Sequence, residues 1–231
     1  MKRFYKQVSL APEGSGFALR LDGRGVKTPA RAGLVLPSAA LADAIAQEWS
    51  AQGDEIDPRT MPLTGLANAA IDRVAPDLQA FAAALAEYAE SDLLCYRAES
   101  PDKLVERQSE RWDPILAWAR QRFDIELATV CGIMHRKQSE AAVQQLARAV
   151  AARGPFELAG LSPLVTVSGS LVIALALAEG AIDLGEAWAA ASLDEQWQLE
   201  TWGEDSEAST ALDSRRRDFE AGARFLDLLG Q

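Results

Sequence analysis

The period of the hydrophobic pattern changes once along this chain. Residues 4–10 (FYKQVSL), 16–23 (GFALRLDG), 26–29 (VKTP) and 33–37 (GLVLP) are short apolar alternations separated by turn residues such as Pro12, Gly14 and Asp22-Gly23. From Ser38 onward apolar residues recur every three or four positions. Period two puts side chains on one face of a strand, and period 3.6 puts them on one stripe of a helix. A chain divided this way is neither all-β nor all-α. The pattern predicts an α+β protein: a small N-terminal antiparallel β-rich domain with one covering helix over residues 1–60, then a larger all-helical domain over residues 61–231.

Asp22-Gly23, followed by Arg24-Gly25, is a hairpin signal. Ser38 after Pro37 reads as the N-cap of a helix through Gln52, on which Leu41, Ile45, Glu48 and Trp49 recur at three or four. Asp57-Pro58 and Met61-Pro62 mark a connecting passage. Helical spacing then covers residues 66–74, 78–94 and 105–123, with Pro114 near the start or at a kink of the third. Residues 138–153, 164–179 and 184 to the end complete the helical part. Asp183 with Glu186, and Ser192 with Glu195, are spaced as capping boxes. The last helix is expected to pack through Leu212, Phe219, Phe225, Leu226 and Leu229.

With 231 residues, 48% of them hydrophobic, the chain has ample material for a core. A formal charge of −11 argues against a phosphate backbone or an anionic membrane as the main partner. Cys95 and Cys131 match no metal-ligand spacing and suit reduced thiols. The N-terminal MKRFYKQVSL is charged but lacks the apolar run of a secretory signal, which points to a cytoplasmic protein. Residues 161–178 carry no charge, yet Ser162, Pro163, Thr166, Ser168, Gly169 and Ser170 crowd the first half. This stretch reads as a buried core helix, with no membrane insertion.

The functional candidates lie in residues 194–208, DEQWQLETWGEDSEA, where Trp197 and Trp202 sit among six carboxylates without a Lys or Arg. On a helix Trp197 and Glu200 share a face, and Gly203 ends the helix before Glu204, Asp205 and Glu207. Like charges so close cost stability, so a partner supplying Arg or Lys is one reason to keep them. The alternative is that the tryptophans are core and the acids a solvated face leading into a new helix N-terminus.

Catalytic signatures are few. His135 is the single histidine, and Cys131 lies four residues before it, but neither an oxyanion loop nor a nucleophile elbow accompanies them. The fragment GRGVKT at residues 23–28 lacks the first glycine of a phosphate loop and runs into Pro29 instead of a helix. Glu204, Asp205 and Glu207 are compatible with a divalent cation or an acid/base pair, which makes a metal-assisted hydrolase the alternative to a protein-binding surface. No cofactor site is read elsewhere.

Several motifs in order resemble the assembly chaperones of the F-type ATP synthase catalytic sector that hold its α subunit. They are GRGVKTPA (23–30), AIAQEW (44–49), MPLTGLANAAID (61–72), SDLLCYRA (91–98), WDPILAW (112–118) and residues 194–208. Gly25 stands where a proline is expected in that family's turn, and the missing targeting segment fits a bacterial version. The resemblance implies a two-domain protein, monomeric when free, that is not an enzyme. It would bind the unassembled α subunit and shield its subunit interface until β subunits replace it. The family's acidic WGED-type motif falls on Trp202, Gly203, Glu204 and Asp205, so client binding is assigned to Glu204, Asp205, Trp202, Glu200, Glu207 and Trp197. Leu94, Tyr96, Trp112 and Trp118 read as packing residues.

Overall fold

The computed structural model describes residues 1–203 and 206–230. It has a small antiparallel strand region near the N-terminus and a larger helical part, as the pattern predicts. Two compact units emerge: Met1–Leu78 with Gly154–Gly160 and the residues from Arg224 onward, and Gln79–Arg153 with Leu161–Ala223. This division differs from the expected boundary at residue 60. The first unit completes its core with residues far away in sequence, Phe156 and Phe225, whose rings stack at 6.2 Å. Local periodicity carries no signal of such closure.

In the first unit β1 (Val8–Glu13) and β2 (Gly16–Leu21) form an antiparallel pair in the register Leu10↔Leu19. Asp22 and Gly23 both take positive φ, 47° and 78°, in the turn to β3 (Arg24–Gly25), as the hairpin signal requires. The short β4 (Val35–Leu36) also pairs with β2. At Gly16 an added Cβ would lie 2.5 Å from the Leu36 carbonyl oxygen, so this crossing demands glycine. Helix α1 (Ala39–Ser50) is capped by Ser38, whose hydroxyl accepts from the Leu41 N–H, and buries Leu41 and Ile45 against the strands.

Helix α2 (Pro62–Ala69) starts four residues before its expected position and passes into a π-helical turn, Ala70–Val74. Pro62 supplies a preset φ at the first helical position. The next two N–H groups are satisfied from outside by Glu48, which therefore caps α2 and does not belong to the apolar stripe of α1. Asp72 accepts from the Thr28 hydroxyl at 2.6 Å and the Ala30 N–H at 2.9 Å. Three of the recognised motifs thus meet in one hydrogen-bonded assembly.

The second unit begins with α3 (Leu78–Ala86) and a 3₁₀ turn, Glu87–Ser91. Asp92 then leaves the helical region, at ψ 133°, and the expected helix to Leu94 stops short. Its carboxylate accepts from the Leu94 N–H, the Ser170 hydroxyl at 2.7 Å and the Val172 N–H at 3.0 Å. After β5 (Tyr96–Arg97), α4 (Asp102–Phe123) runs unbroken through Pro114. A two-residue parallel pair of β5 with β6 (Val130–Cys131) was invisible to periodicity. Helix α5 (Glu140–Ala151) follows.

The uncharged stretch forms two helices, α6 (Pro155–Ser168) and α7 (Leu171–Ala178), rather than one over residues 164–179. Gly169, at φ +67°, breaks the helix, and Ser170 caps the next through the Ile173 N–H. No described helix is long and apolar enough to cross a membrane. Helix α8 (Leu184–Ala191) carries the expected Asp183/Glu186 capping box. At α9 (Leu193–Trp202) the expected Ser192/Glu195 box is absent, because the Ser192 hydroxyl turns back to the Trp188 carbonyl. The last helix is α10 (Ser206–Leu229); it buries Phe219 and Phe225 fully and leaves Leu212, Leu226 and Leu229 half-buried.

Candidate functional site

Helix α9 carries the tryptophans and most of the described acids. Asp194 and Glu195 lie in its first turn, where carboxylates favour the positive end of the helix dipole. Gly203, at φ +90°, ends it with an N–H to the Leu199 carbonyl. Glu207 occupies the first turn of α10. Glu204 and Asp205, the two carboxylates ranked highest from sequence, lie outside the described residues.

The absence of basic residues within the segment is made good in space. Arg107, on α4, donates a fork to Glu200, with N–O distances of 2.7 and 2.9 Å. The same guanidinium lies 5.9 Å from the Trp197 ring centre. Hydrogen bonding from Arg107 holds the Glu200 carboxyl below the usual carboxylate range. Glu195 pairs with Arg215 at 2.6 Å, and Arg215 also donates to the Val167 carbonyl. Burial pushes the Asp194 carboxyl up, against a 2.8 Å bond from the buried Gln108 side chain. Trp197 and Glu200 are consequently engaged within the protein. Arg107 was missed because it lies 93 residues from Glu200.

Trp202 is different. It is 78% exposed at the end of α9, beside a pocket of about 400 Å³ lined by Leu199, Ala208, Ala211, Leu212 and Arg215. A large aromatic side chain exposed next to an apolar recess is the usual form of a protein-contact anchor. Of the six sequence candidates, Trp202 presents the largest described apolar surface.

The other motifs resolve into supports. Arg97 donates to the Leu94 carbonyl and to Asp113, and its guanidinium stands 5.2 Å from the Trp112 ring centre. Trp112 is fully buried and donates its indole N–H to the Ala190 carbonyl. Leu94 is fully buried, whereas Tyr96 is half-exposed and its hydroxyl meets His135 Nδ1 at 3.0 Å. The other nitrogen of His135 lies 3.5 Å from Glu90. For the metal-assisted alternative, Glu207 is the one carboxylate of the three within the described residues. No group of three potential ligands occurs among those residues.

Residues 2–120 match the family model of the ATP12 chaperone protein. The crystal structure of Atp12 from Paracoccus denitrificans is 42% identical and superimposes with a TM-score of 0.94, covering 99% of this chain and 98% of that one. The protein Atu1473 from Agrobacterium tumefaciens is 44% identical with a TM-score of 0.94, covering 99% of this chain and 86% of that one. The mitochondrial protein atp12 of Schizosaccharomyces pombe is 24% identical over 87% of this chain and 74% of its own length. With over half of its residues matched by the family model and two bacterial structures matched nearly end to end, this chain belongs to the ATP12 family of ATP synthase assembly chaperones.

Proposed function

We propose that this protein binds the unassembled α subunit of the F-type ATP synthase through the face around Trp202 and holds it until β subunits take its place. The observation that carries the reading is the exposed Trp202 beside the recess lined by Leu199 and Leu212. An assembly chaperone needs apolar contact area with a charged rim, and no reaction centre. In this reading Trp202 enters an apolar site on the client. Glu204 and Asp205, which follow it in the chain, meet a client arginine or imitate an acid of the incoming β subunit. Glu207 extends the rim, whereas Trp197 and Glu200 brace α9 through Arg107. The protein acts stoichiometrically, without turnover, in the bacterial cytoplasm, and is monomeric when free.

The test is retention of α subunit from cells that are synthesising it, with the tagged protein as bait. Trp202→Ala should lower recovery about tenfold or more, as for an interface anchor, and Glu204→Gln should lower it as well. Both variants must unfold at the wild-type temperature. Undiminished recovery with both would overturn the assignment of this face.

A further inference from the structure

The protein is strongly acidic, but its first 36 residues are not. They hold seven Lys/Arg against two carboxylates, Glu13 and Asp22, in a chain of net charge −11. None of the seven forms an ion pair among the described residues, whereas Arg107, Arg122 and Arg215 are all paired. Asp22, which senses the charges of Lys6 and Arg24, accepts from the backbone N–H groups of Lys6 and Gln7. No carboxylate lies within ion-pair distance of Arg24 or Lys27 among the described residues.

Two of the seven, Arg24 and Lys27, line a groove of about 660 Å³ in the first unit, which Asp22 also lines. Tyr5, Leu21, Val26 and Trp49 give it apolar walls, and Arg24 and Lys27, both exposed, stand among its lining residues. Phe4, 65% exposed, packs edge-on against Tyr5. The buried indole N–H of Trp49 has no acceptor, an uncommon condition for a native polar group. Gly25 also lines the groove, with open space where a Cβ would stand.

We propose that this groove docks an extended acidic segment of a protein partner, whose apolar anchor enters against Tyr5, Val26 and Trp49 while flanking carboxylates meet Arg24 and Lys27. Charge complementarity selects such a partner, since positive rims recruit negative segments and set their register. The concave, aromatic-walled form suits a side chain better than a flat bilayer. This groove shares no lining residue with the recess beside Trp202, and the proposal does not depend on the role of Trp202.

The experiment titrates the full chain with a labelled synthetic peptide bearing a Leu-Phe pair flanked by glutamates. Controls are the same peptide with lysines and phosphatidylglycerol vesicles. The glutamate peptide should bind in a salt-sensitive manner, and the lysine peptide should not. Arg24→Glu with Lys27→Glu should weaken binding about tenfold or more, and Gly25→Leu, which adds bulk while keeping the charges, should weaken it as well. Arg24, Gly25 and Lys27 are all exposed, so wild-type unfolding temperatures are expected. Equal binding of the two peptides, or none of either, overturns the proposal. So does insensitivity to both variants, and vesicle binding without peptide binding reassigns the face to lipid.

Discussion

Removal of the Glu48 carboxylate should uncouple α2 from α1. Its two oxygens accept from the Leu63 N–H at 2.8 Å, the Thr64 N–H at 2.8 Å and the Thr64 hydroxyl at 2.7 Å. Leu63 and Thr64 are buried, so water does not readily replace the lost acceptor. Hydrogen bonds to a charged group are worth about 1.5–3 kcal/mol each, and an orphaned buried donor costs about 1–3 kcal/mol. Because one carboxylate serves all three donors, the losses overlap, and Glu48→Ala should cost about 3–4 kcal/mol in total. Helix α2 is eight residues long, too short to persist on its own. Opening should therefore be local before it is global. Hydrogen exchange read by mass spectrometry should show the Leu63 and Thr64 amides exchanging about a hundredfold faster, as a loss near 3 kcal/mol requires. Glu48→Gln keeps one acceptor but turns an amide toward a donor, and should recover less than half of the loss. Unchanged exchange at both amides in Glu48→Ala, with unfolding free energy within about 1 kcal/mol of wild type, would refute the argument.

Asp92 offers a pH signature. Burial pushes its carboxyl up to about 6, against the bonds from Ser170 and Val172. The folded state then holds the proton more tightly than the unfolded state, so this group's contribution is full below pH 4 and is lost as pH rises from about 4 to about 6. The unfolding free energy of Asp92→Asn relative to wild type should change by about 3 kcal/mol across that window; a pH-independent difference sinks the assignment. Arg107 and Glu200 form a half-exposed pair, and a double-mutant cycle on thermal unfolding should give a coupling below about 1 kcal/mol. At Gly160 an added Cβ would approach the Leu226 side chain to 2.9 Å and Phe225 to 3.0 Å. Gly160→Val should destabilise by about 1–3 kcal/mol through overpacking, measured by urea unfolding.

Local chemistry explains what was legible in the sequence. Asp22-Gly23 needed two positive φ values, Ser38 faced an orphan N–H three residues on, and Asp183 with Glu186 closed a box within four residues. Each of these signals involves near neighbours. Some misreadings were local, as at Gly169 and Ser192, and the others fell where a distant residue decided the outcome. Glu48 moved the start of α2, Asp92 ended one helix and supported the N-terminus of another 80 residues away, and Arg107 neutralised an acid that looked unbalanced. Phe156 and Phe225 closed the first unit's core without any mark in the intervening pattern.

The same distinction bears on which recognised residues meet a client. Thr28, Glu48, Asp72, Asp92, Arg97 and Trp112 come from five of the six motifs, and each is occupied by hydrogen bonds within its own unit. Side chains already committed to internal partners have little free capacity for a subunit interface, because breaking a buried hydrogen bond costs what a new one returns. Family resemblance in those motifs therefore reports the scaffold. Trp202 departs from this rule: its side chain is largely in water at the end of a helix, where a fold gains little from an indole. Replacing Trp202 should accordingly leave unfolding within about 0.5 kcal/mol of wild type while reducing client retention. Replacing Trp112 should lower stability by several kcal/mol, about 3–5 for truncation to Ala, and reduce retention only as far as the fold is lost. If the two variants lose stability equally, the separation of scaffold from contact surface fails.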